Sequence, residues 1–359
     1  MIQTWELVDI IEVIFVVMAT QLENVTKEDL YPVFMKMIEI LEDYRTDSNI
    51  IICVTGTLDF ICRKTAFIEK LPVAVNQRLI DVVLHGWYSL AMLTNDQKWE
   101  IIPYIWNILC HKSIHSSASA SQRYAICSAA AEALVNIDVL FTVPYECART
   151  FSKVIGKLTV AELTRLTQYS SLMDVSLGYV RTCENLEAFL EYYNIFRCLY
   201  HCATVPVEEW STIIRILMEK MKRFTRYPHA QLIILRGLYG ENYQLMNSIH
   251  RDSYCTFFET LGAEVFEQLF STKNEELLYA TASLLANIWV NYFSWYQDFQ
   301  RDDVGSLVIT LCQLFRAHDS SNRSFENFLV VNASKGSRDC PLLKPWAEWV
   351  HRQYITRFM

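Results

Sequence analysis

The sequence is poor in the two residues that turn-rich proteins need. Nine glycines and eight prolines are spread over 359 residues, which is too few for the frequent tight turns of an all-β protein. No stretch of useful length alternates between apolar and polar residues, the pattern of a half-buried strand. The composition therefore argues against a β-sheet protein and favours helices.

The sequence also lacks the short motifs that carry catalytic chemistry. It contains no Gly-x-Ser-x-Gly elbow, no glycine-rich phosphate loop, no dinucleotide fingerprint and no His-Glu-x-x-His zinc motif. Paired carboxylates such as Glu275 and Glu276 stand at predicted helix starts, where the helix dipole explains them. We predict a protein that is not an enzyme, needs no cofactor and has no small-molecule substrate.

Net positive charge and long apolar runs are absent as well. The formal net charge of −8 argues against broad, non-specific binding to nucleic acid. The longest N-terminal apolar run, residues 10–19, is interrupted by Glu12 and too short to cross a bilayer. Glu6 and Asp9 precede it, where a signal peptide would have basic residues. We interpret this run as the buried face of a first helix and expect no membrane insertion.

Cysteine is the exception to this scarcity, with eleven residues in the chain. They stand singly in apolar helical patterns, as at Cys53, Cys62, Cys127 and Cys312. Such placement is typical of buried thiols in a reducing compartment. We therefore predict an intracellular protein, in the cytoplasm, the nucleus or both.

Apolar residues make up 52% of the chain, and their spacing is helical. The clearest case is residues 274–289, in which small residues alternate with large ones along one stripe. The large ones are Leu277, Leu278, Leu284, Leu285 and Ile288, and the small ones are Ala280, Ala282 and Ala286. Small positions let a neighbouring helix approach closely, so this stretch predicts a tightly packed helix.

Helix starts recur along the chain at a nearly regular interval. Thr94, Thr159 and Thr272 each open a capping box, and Thr26 opens a related pattern. Together with the prolines they predict helix pairs beginning near residues 1, 47, 94, 143, 184, 228, 274 and 322. This spacing of roughly 45 residues is that of helical repeats. The predicted fold is all-α, one domain over residues 1–359, with the serine-rich Ser113–Ser121 segment as a loop whose hydroxyls could be phosphorylated.

Two stretches resemble the last helix of armadillo repeats, in which Ala-x-x-Ala-Leu-x-Asn-Leu is typical. They are Ala130-x-x-Ala133-Leu134-Val135-Asn136-Ile137 and Ala282-x-Leu284-Leu285-Ala286-Asn287-Ile288, and Gly56-Thr57-Leu58-Asp59-Phe60-Ile61 matches without the asparagine. The intervals between them do not give one repeat length, so HEAT-like pairs remain an equal alternative. The resemblance implies an α-solenoid of about eight stacked helix pairs that serves as a scaffold or adaptor for a protein partner.

One feature of the peptide-binding members of that superfamily is missing. They carry a tryptophan four residues before the groove asparagine, whereas this chain has Glu132 before Asn136 and Ser283 before Asn287. We therefore do not expect the peptide groove of a transport receptor.

Two groups of residues are candidates for binding a partner. The first is the basic group Arg215, Lys220, Lys222, Arg223 and Arg226, and the second is the aromatic group Trp295, Tyr296, Trp346 and Trp349. The basic residues could hold an acidic peptide or a phosphate backbone, or could merely complement a helix C-terminus. The aromatic residues could form a protein interface, or could fill the core between stacked helices. Two alternatives to a scaffold thus stay open, a nucleic-acid-associated repeat protein and a regulatory subunit of an enzyme.

A metal site is a further alternative at Cys198, His201 and Cys202, which lie close together in one predicted helix. Zinc needs three or four such ligands, and no second cluster with matching spacing exists in the sequence. We expect these residues to belong to a buried helix face, without a metal.

Overall fold

The computed structural model describes residues 4–21, 26–63, 65–136, 145–169, 171–200 and 207–239, together with Asn274 and Leu277. Within these residues the regular secondary structure is entirely helical, with fourteen α-helices and one 3-10 helix. The predicted all-α fold class is therefore confirmed for this part of the chain. None of the helices described there is both long enough and apolar enough to cross a membrane.

The helices follow one another with short connections. In chain order they are α1 Thr4–Gln21, α2 Lys27–Asp43, α3 Ser48–Cys62, α4 Thr65–Ile68, α5 Val73–Tyr88, a 3-10 helix Ser89–Met92, α6 Asn95–Cys110, α7 Lys112–Ser117, α8 Ala120–Asn136, α9 Tyr145–Ile155, α10 Val160–Leu166, α11 Leu172–Thr182, α12 Leu186–Tyr200, α13 Val207–Arg223 and α14 Pro228–Tyr239.

The chain divides into two compact units. The first consists of Met1–Tyr179 and Glu187–Ala203, and the second consists of Val180–Leu186 and Thr204–Met359. The prediction of a single domain over residues 1–359 stays a prediction.

Side chains ahead of the first turn fix several helix starts. The hydroxyls of Thr26, Thr94 and Thr159 each accept a hydrogen bond from the backbone N–H three residues later. The side chain at that later position accepts one from the threonine N–H in return. These reciprocal bonds satisfy backbone donors that have no partner inside the helix. The capping boxes predicted at Thr94 and Thr159 are confirmed, and the related pattern at Thr26 also forms one, with Asp29. Thr272 lies outside the described residues.

Several predicted helix starts also agree with the structure. The starts expected near residues 47, 94, 143, 184 and 228 fall at the first turns of α3, α6, α9, α12 and α14. The starts expected near 274 and 322 lie outside the described helices. Capping chemistry and apolar periodicity were thus sufficient to place these boundaries.

In the first unit, helices pack against helices two or three elements earlier and later in the chain, and also against immediate neighbours, as α2 does with α3 and α8 with α9. Helix α3 lies against both α1 and α6, and α6 lies against both α3 and α9. A second series runs from α2 to α5 and from α5 to α8, which also contacts α10. Side-chain hydrogen bonds between these helices join residues 36 to 49 positions apart, such as Arg78 with Glu42 and Gln97 with Ser48.

Close packing between α3 and α6 depends on a glycine and a buried carboxylate. A Cβ atom at Gly56 would lie 3.2 Å from the Tyr104 ring of α6, so the two helices touch where a larger side chain would have to displace the ring. One turn later, Asp59 is 2% exposed and accepts hydrogen bonds from Arg63 and Asn107. Burial raises the pKa of Asp59, although Arg63 opposes the shift. The pair Asp59–Asn107 links the helices without leaving the carboxylate unsatisfied.

The prediction of a loop in the serine-rich segment is wrong. Residues 112–117 form helix α7 rather than a loop, and Ser119 then forms a capping box with Gln122 at the start of α8. Gln122 also donates to the Gln77 carbonyl and to Asp81, both on α5, at 2.8 and 2.7 Å. These serines serve helix ends and helix contacts because each hydroxyl can replace a missing backbone partner.

A buried histidine on α7 should make the stability of the fold depend on pH. His115 is buried, and its Nδ1 atom has no hydrogen-bond partner among the described residues. Burial, followed by the positive charges of Lys157, His111, Lys153 and Arg149, lowers the pKa of His115 from 6.5 to about 4. Between pH 6.5 and about 4 the His115 imidazole is protonated in the unfolded chain but neutral in the folded chain. The free energy of unfolding therefore decreases as the pH drops through this range. Since exposed cations are screened by solvent, we expect this group to cost about 1–2 kcal/mol.

The measurement is urea unfolding at pH 7 and pH 5 for the native chain and for His115→Gln. The variant should lose about 1–2 kcal/mol less between the two pH values than the native chain does. His229→Gln, at an exposed position at the start of α14, serves as the control and should keep the native pH dependence. Equal losses for all three proteins would contradict the prediction.

Candidate functional site

The predicted basic group lies in the second unit, on α13 and the turn that follows it. Arg215, Lys222 and Arg226 are exposed. Arg215 and Lys222 are seven residues apart, which places them on the same face of the helix two turns from each other. Glu219 lies between them on that face and is also exposed. The exposed surface of α13 is therefore of mixed charge, with Arg226 beyond its C-terminal end.

Lys220 has a different role from its neighbours. It is 5% exposed, and its Nζ atom donates a hydrogen bond of 2.5 Å to the carbonyl of Cys183, the residue after α11. Burial lowers the pKa of Lys220, and nearby Arg223 adds to this shift. A cation at the C-terminal end of a helix complements the partial negative charge there. Lys220 therefore helps to hold the end of α11 against α13.

Arg223 is also engaged within the second unit. Its guanidinium lies 3.2 Å from the carboxylate of Glu184. Both side chains are largely exposed, so the pair contributes little to stability, but it offsets the charge of Arg223. Of the five predicted basic residues, four are exposed and Lys220 is buried; Lys220 and Arg223 are joined to the segment after α11.

The other predicted groups fall mostly beyond the described part of the chain. Trp295, Tyr296, Trp346 and Trp349 lie outside the described residues, as do His201 and Cys202. Cys198 is described and lies half-buried on α12. Among the described residues no group of three or more histidine, cysteine, aspartate or glutamate side chains could hold a metal ion.

The first apolar run, which we interpreted as the buried face of a helix, lies in α1 and is only partly buried. Ile11 is buried against the first unit and Phe15 packs against Phe60 of α3, with ring centroids 5.2 Å apart. The opposite side of the helix nevertheless exposes large apolar side chains, which we call the α1 surface. Its members are Trp5, Ile10, Val13, Val16 and Val17, exposed by 60%, 47%, 61%, 58% and 50%. The run is thus only partly the buried face of a helix.

All charged residues of α1 are acidic. The helix contains Glu6, Asp9 and Glu12 and has no basic residue. Helical spacing places Glu6 and Asp9 on the exposed side, one to two turns before Val13 and Val17. The first half of the exposed side therefore combines these carboxylates with Trp5 and Ile10, and its second half is apolar.

The sequence itself predicts that α1 exposes apolar side chains. Apolar residues occupy every position from 13 to 19. Because successive helical residues point about 100° apart, seven consecutive apolar residues cover every side of a helix. A helix that packs on one side only must then expose some of them.

A second candidate surface joins three helices of the first unit. Tyr124, Ser128 and Glu132 lie at intervals of four residues along one face of α8. The hydroxyls of Ser128 and of Tyr169, which follows α10, are 2.6 Å apart, and the indole Nε1 of Trp87 on α5 donates to Glu132 at 3.4 Å. We call Tyr88, Tyr124, Tyr169 and Glu132 the tyrosine surface.

Tyr88, the last residue of α5, adds a third phenol to this surface and is 54% exposed. Partial burial raises the pKa of Tyr88, and the nearby negative charge of Glu132 raises it further. Tyr169 and Tyr124 raise it as well. Trp87, Glu132 and Tyr169 are far apart in the sequence, so the packing of α5, α8 and α10 brings Trp87 and Tyr169 to the same helix.

Comparison with known proteins adds a likeness of fold. No protein-family model matches the chain, and no curated protein matches it significantly by sequence. Among solved structures, it is similar to the crystal structure of an engineered protein from a structural genomics consortium, with a TM-score of 0.54 and 15% identity over 89% of this chain and 71% of that chain. At this identity the likeness concerns the fold alone, and it agrees with an all-helical fold.

The contrast between Lys220 and Lys222 yields a prediction. Lys220→Ala removes a buried hydrogen bond to a carbonyl group and should lower the free energy of unfolding by about 1–2 kcal/mol. Lys222→Ala alters an exposed side chain and should change it by less than about 0.5 kcal/mol. Thermal unfolding of both variants and the native chain checks this difference. Equal destabilisation by the two substitutions would show that the hydrogen bond to Cys183 contributes nothing.

Proposed function

We propose that the chain is a non-catalytic scaffold or adaptor that binds a protein partner through the α1 surface. The observation that carries this proposal is the exposure of five large apolar side chains on one side of α1. Contiguous exposed apolar patches on otherwise well-packed proteins mark sites of interaction. Single exposed residues such as Val160 need no such explanation.

The size of the patch indicates what it can contribute. Covering Val13, Val16 and Val17, each half or more exposed, would remove a substantial apolar area from water. At the usual value per unit of area, each valine would contribute about 1 kcal/mol and the three together about 3 kcal/mol. This is a useful share of a binding free energy, but too little for a tight complex. Polar contacts from the acidic half of α1 must supply the remainder.

The charge of α1 indicates the kind of partner. In a parallel pairing of two copies, Glu6 and Asp9 of one helix would meet the same carboxylates of the other. In an antiparallel pairing they would lie against Val13 and Val17 and lose water without gaining a partner, which is costly. Both arrangements disfavour a second copy of this chain. The complementary partner is a different protein whose apolar side chains adjoin lysines or arginines.

We also propose the finer architecture, an α-solenoid of armadillo or HEAT type with about eight helix pairs. Two features of the first unit support it: the series of contacts from α1 to α3, α6 and α9, and the parallel series from α2 to α5 and α8. Such folds present long surfaces and leave room for several contacts. An enzyme recovered as the partner would make this chain a regulatory subunit of that enzyme.

We propose that the chain acts inside the cell, in the cytoplasm or the nucleus. Its thiols support this, because Cys62, Cys127 and Cys147 are buried and form no disulfide. Burial raises the pKa of all three thiols well above its ordinary value, which keeps them protonated and unreactive. Single buried thiols are typical of reducing compartments.

The partner proposal is tested by affinity purification from the native cells. Val13→Gln and Val17→Gln together should reduce recovery of a stoichiometric protein partner at least about tenfold, because two central apolar contacts are lost. Val160→Gln is the matched control, since Val160 is 71% exposed but isolated on α10. A partner retained equally by all variants would show that the α1 surface does not bind it, and recovery of chaperones alone would exclude the scaffold.

A second candidate function is binding of nucleic acid by the exposed cations Arg215, Lys222 and Arg226. Their exposure on α13 and the turn after it favours this alternative. Changing all three to glutamate should abolish RNA or DNA binding at low salt, and in the native chain binding should weaken steeply as salt is raised. A filter-binding titration at two salt concentrations measures both. No binding by the native chain at low salt would exclude this function.

A further inference from the structure

The side of α1 that faces away from the first unit has a regular arrangement. Ile11 is 1% exposed and marks the buried side. At 100° per residue, four exposed residues point within about 40° of the opposite direction. They are separated by intervals of four, three and four residues, and we call them the α1 stripe: Asp9, Val13, Val16 and Thr20. Alternating intervals of three and four residues form the line along which two helices pack.

The apolar half of the α1 stripe can be covered at little cost. Val13 and Val16 are β-branched, so each is held close to one rotamer in a helix and loses little freedom when a partner covers it. The Thr20 hydroxyl lies 3.0 Å from the Val16 carbonyl and 3.1 Å from the Val17 carbonyl. Its donor is therefore satisfied inside α1, and burial of Thr20 leaves no unpaired proton.

The contacts of the first unit indicate what kind of element fits there. Helix α1 packs on α3, α3 packs on α6, and α6 packs on α9. Within this series α3 and α6 each have a helix on two sides, whereas α1 has one on a single side. A helix laid along the α1 stripe would extend the series by one member and repeat a packing that the first unit already uses.

Two other kinds of occupant fit the α1 stripe less well. An extended segment gains affinity by adding a strand to an open sheet edge, and the described residues contain helices but no strand. A membrane surface is negatively charged on its cytoplasmic side, and helices that lie in it carry lysine or arginine on their polar face. Helix α1 instead carries Glu6, Asp9 and Glu12 and no basic residue.

We propose that the occupant of the α1 surface is an amphipathic, basic α-helix of a partner protein. Its apolar side chains would pack on Val13, Val16 and Thr20, and its lysines or arginines would lie beside Asp9 and Glu12, which are exposed. The inference rests on the proposed function, that the α1 surface binds a different protein. It adds the secondary structure and the charge of the segment that binds.

The test uses a designed peptide as the probe, since alanine-rich peptides of about 20 residues form helices in water. Leucines at alternating intervals of three and four residues occupy its first half, and lysines occupy the same positions in its second half. This order places the cations near the C-terminal end, where they also stabilise the helix. In fluorescence anisotropy titrations with the full chain, we expect saturable binding with a Kd below about 1 mM.

Two control peptides separate helix and charge from general stickiness. One replaces two central alanines with proline, which breaks the helix but keeps the charge and the leucines, and it should bind at least about tenfold more weakly. The other replaces every lysine with glutamate and should show no saturable binding. Equal binding of either control peptide would overturn the proposal.

Variants of the chain locate the binding on α1. Val13→Gln with Val16→Gln should weaken binding of the probe at least about fivefold, and Asp9→Asn should weaken it as well. Val160→Gln on α10 and Asp174→Asn on α11 change exposed residues elsewhere, so they are the matched controls and should leave the titration unchanged. No saturable binding by the native chain, or equal binding by the double valine variant, would overturn the proposal.

Failure of this inference can be told apart from failure of the proposed function. Affinity purification detects any protein held by the α1 surface, whereas the probe detects only a basic helix. A partner that is lost with Val13→Gln and Val17→Gln, together with a probe that does not bind, would keep the proposed function and overturn the helical occupant. Recovery of no such partner would contradict both.

Discussion

The structure depends on one requirement, that each described helix bury its apolar stripe against other helices, both its chain neighbours and helices two or three elements away. Helix α6 shows the result most fully, because it contacts α3, α5 and α9. Its apolar residues Ile101, Ile105, Trp106, Ile108 and Leu109 are all completely buried. Helix α1 packs on α3, and its other side meets water. The apolar α1 surface is thus what the same packing rule produces when only one side of a helix is covered.

Polar groups inside the first unit divide into those that join helices and those that remain accessible. Asp59 with Asn107, and Gln122 with Asp81, are bonded across helix contacts, where an unpaired group would be costly. Such pairs select one alignment of neighbouring helices, since a shift along the axis would separate the partners. Glu132 differs, because it is exposed and partly bonded.

The basic residues of α13 show why charge patterns in a sequence do not define a site. Lys220 and Lys222 are two residues apart, yet helical geometry turns them about 200° away from each other. One is therefore buried against the segment after α11, and the other is exposed. The sequence predicts that cations concentrate here. Which of them face solvent depends on the side of α13 that packs, and this is a property of the neighbouring elements.

Local chemistry made the helix starts predictable from the sequence alone. Thr94 and Thr159 cap their helices through contacts within three residues, so no distant part of the chain is needed to form them. Apolar periodicity likewise established the all-helical class in the described residues. Other features arise only from contacts between residues some 40 positions apart, as between Trp87 and Glu132. Tertiary packing therefore decided which side of α1 is exposed, that Gln122 donates hydrogen bonds to α5, and that Trp87 donates one to Glu132.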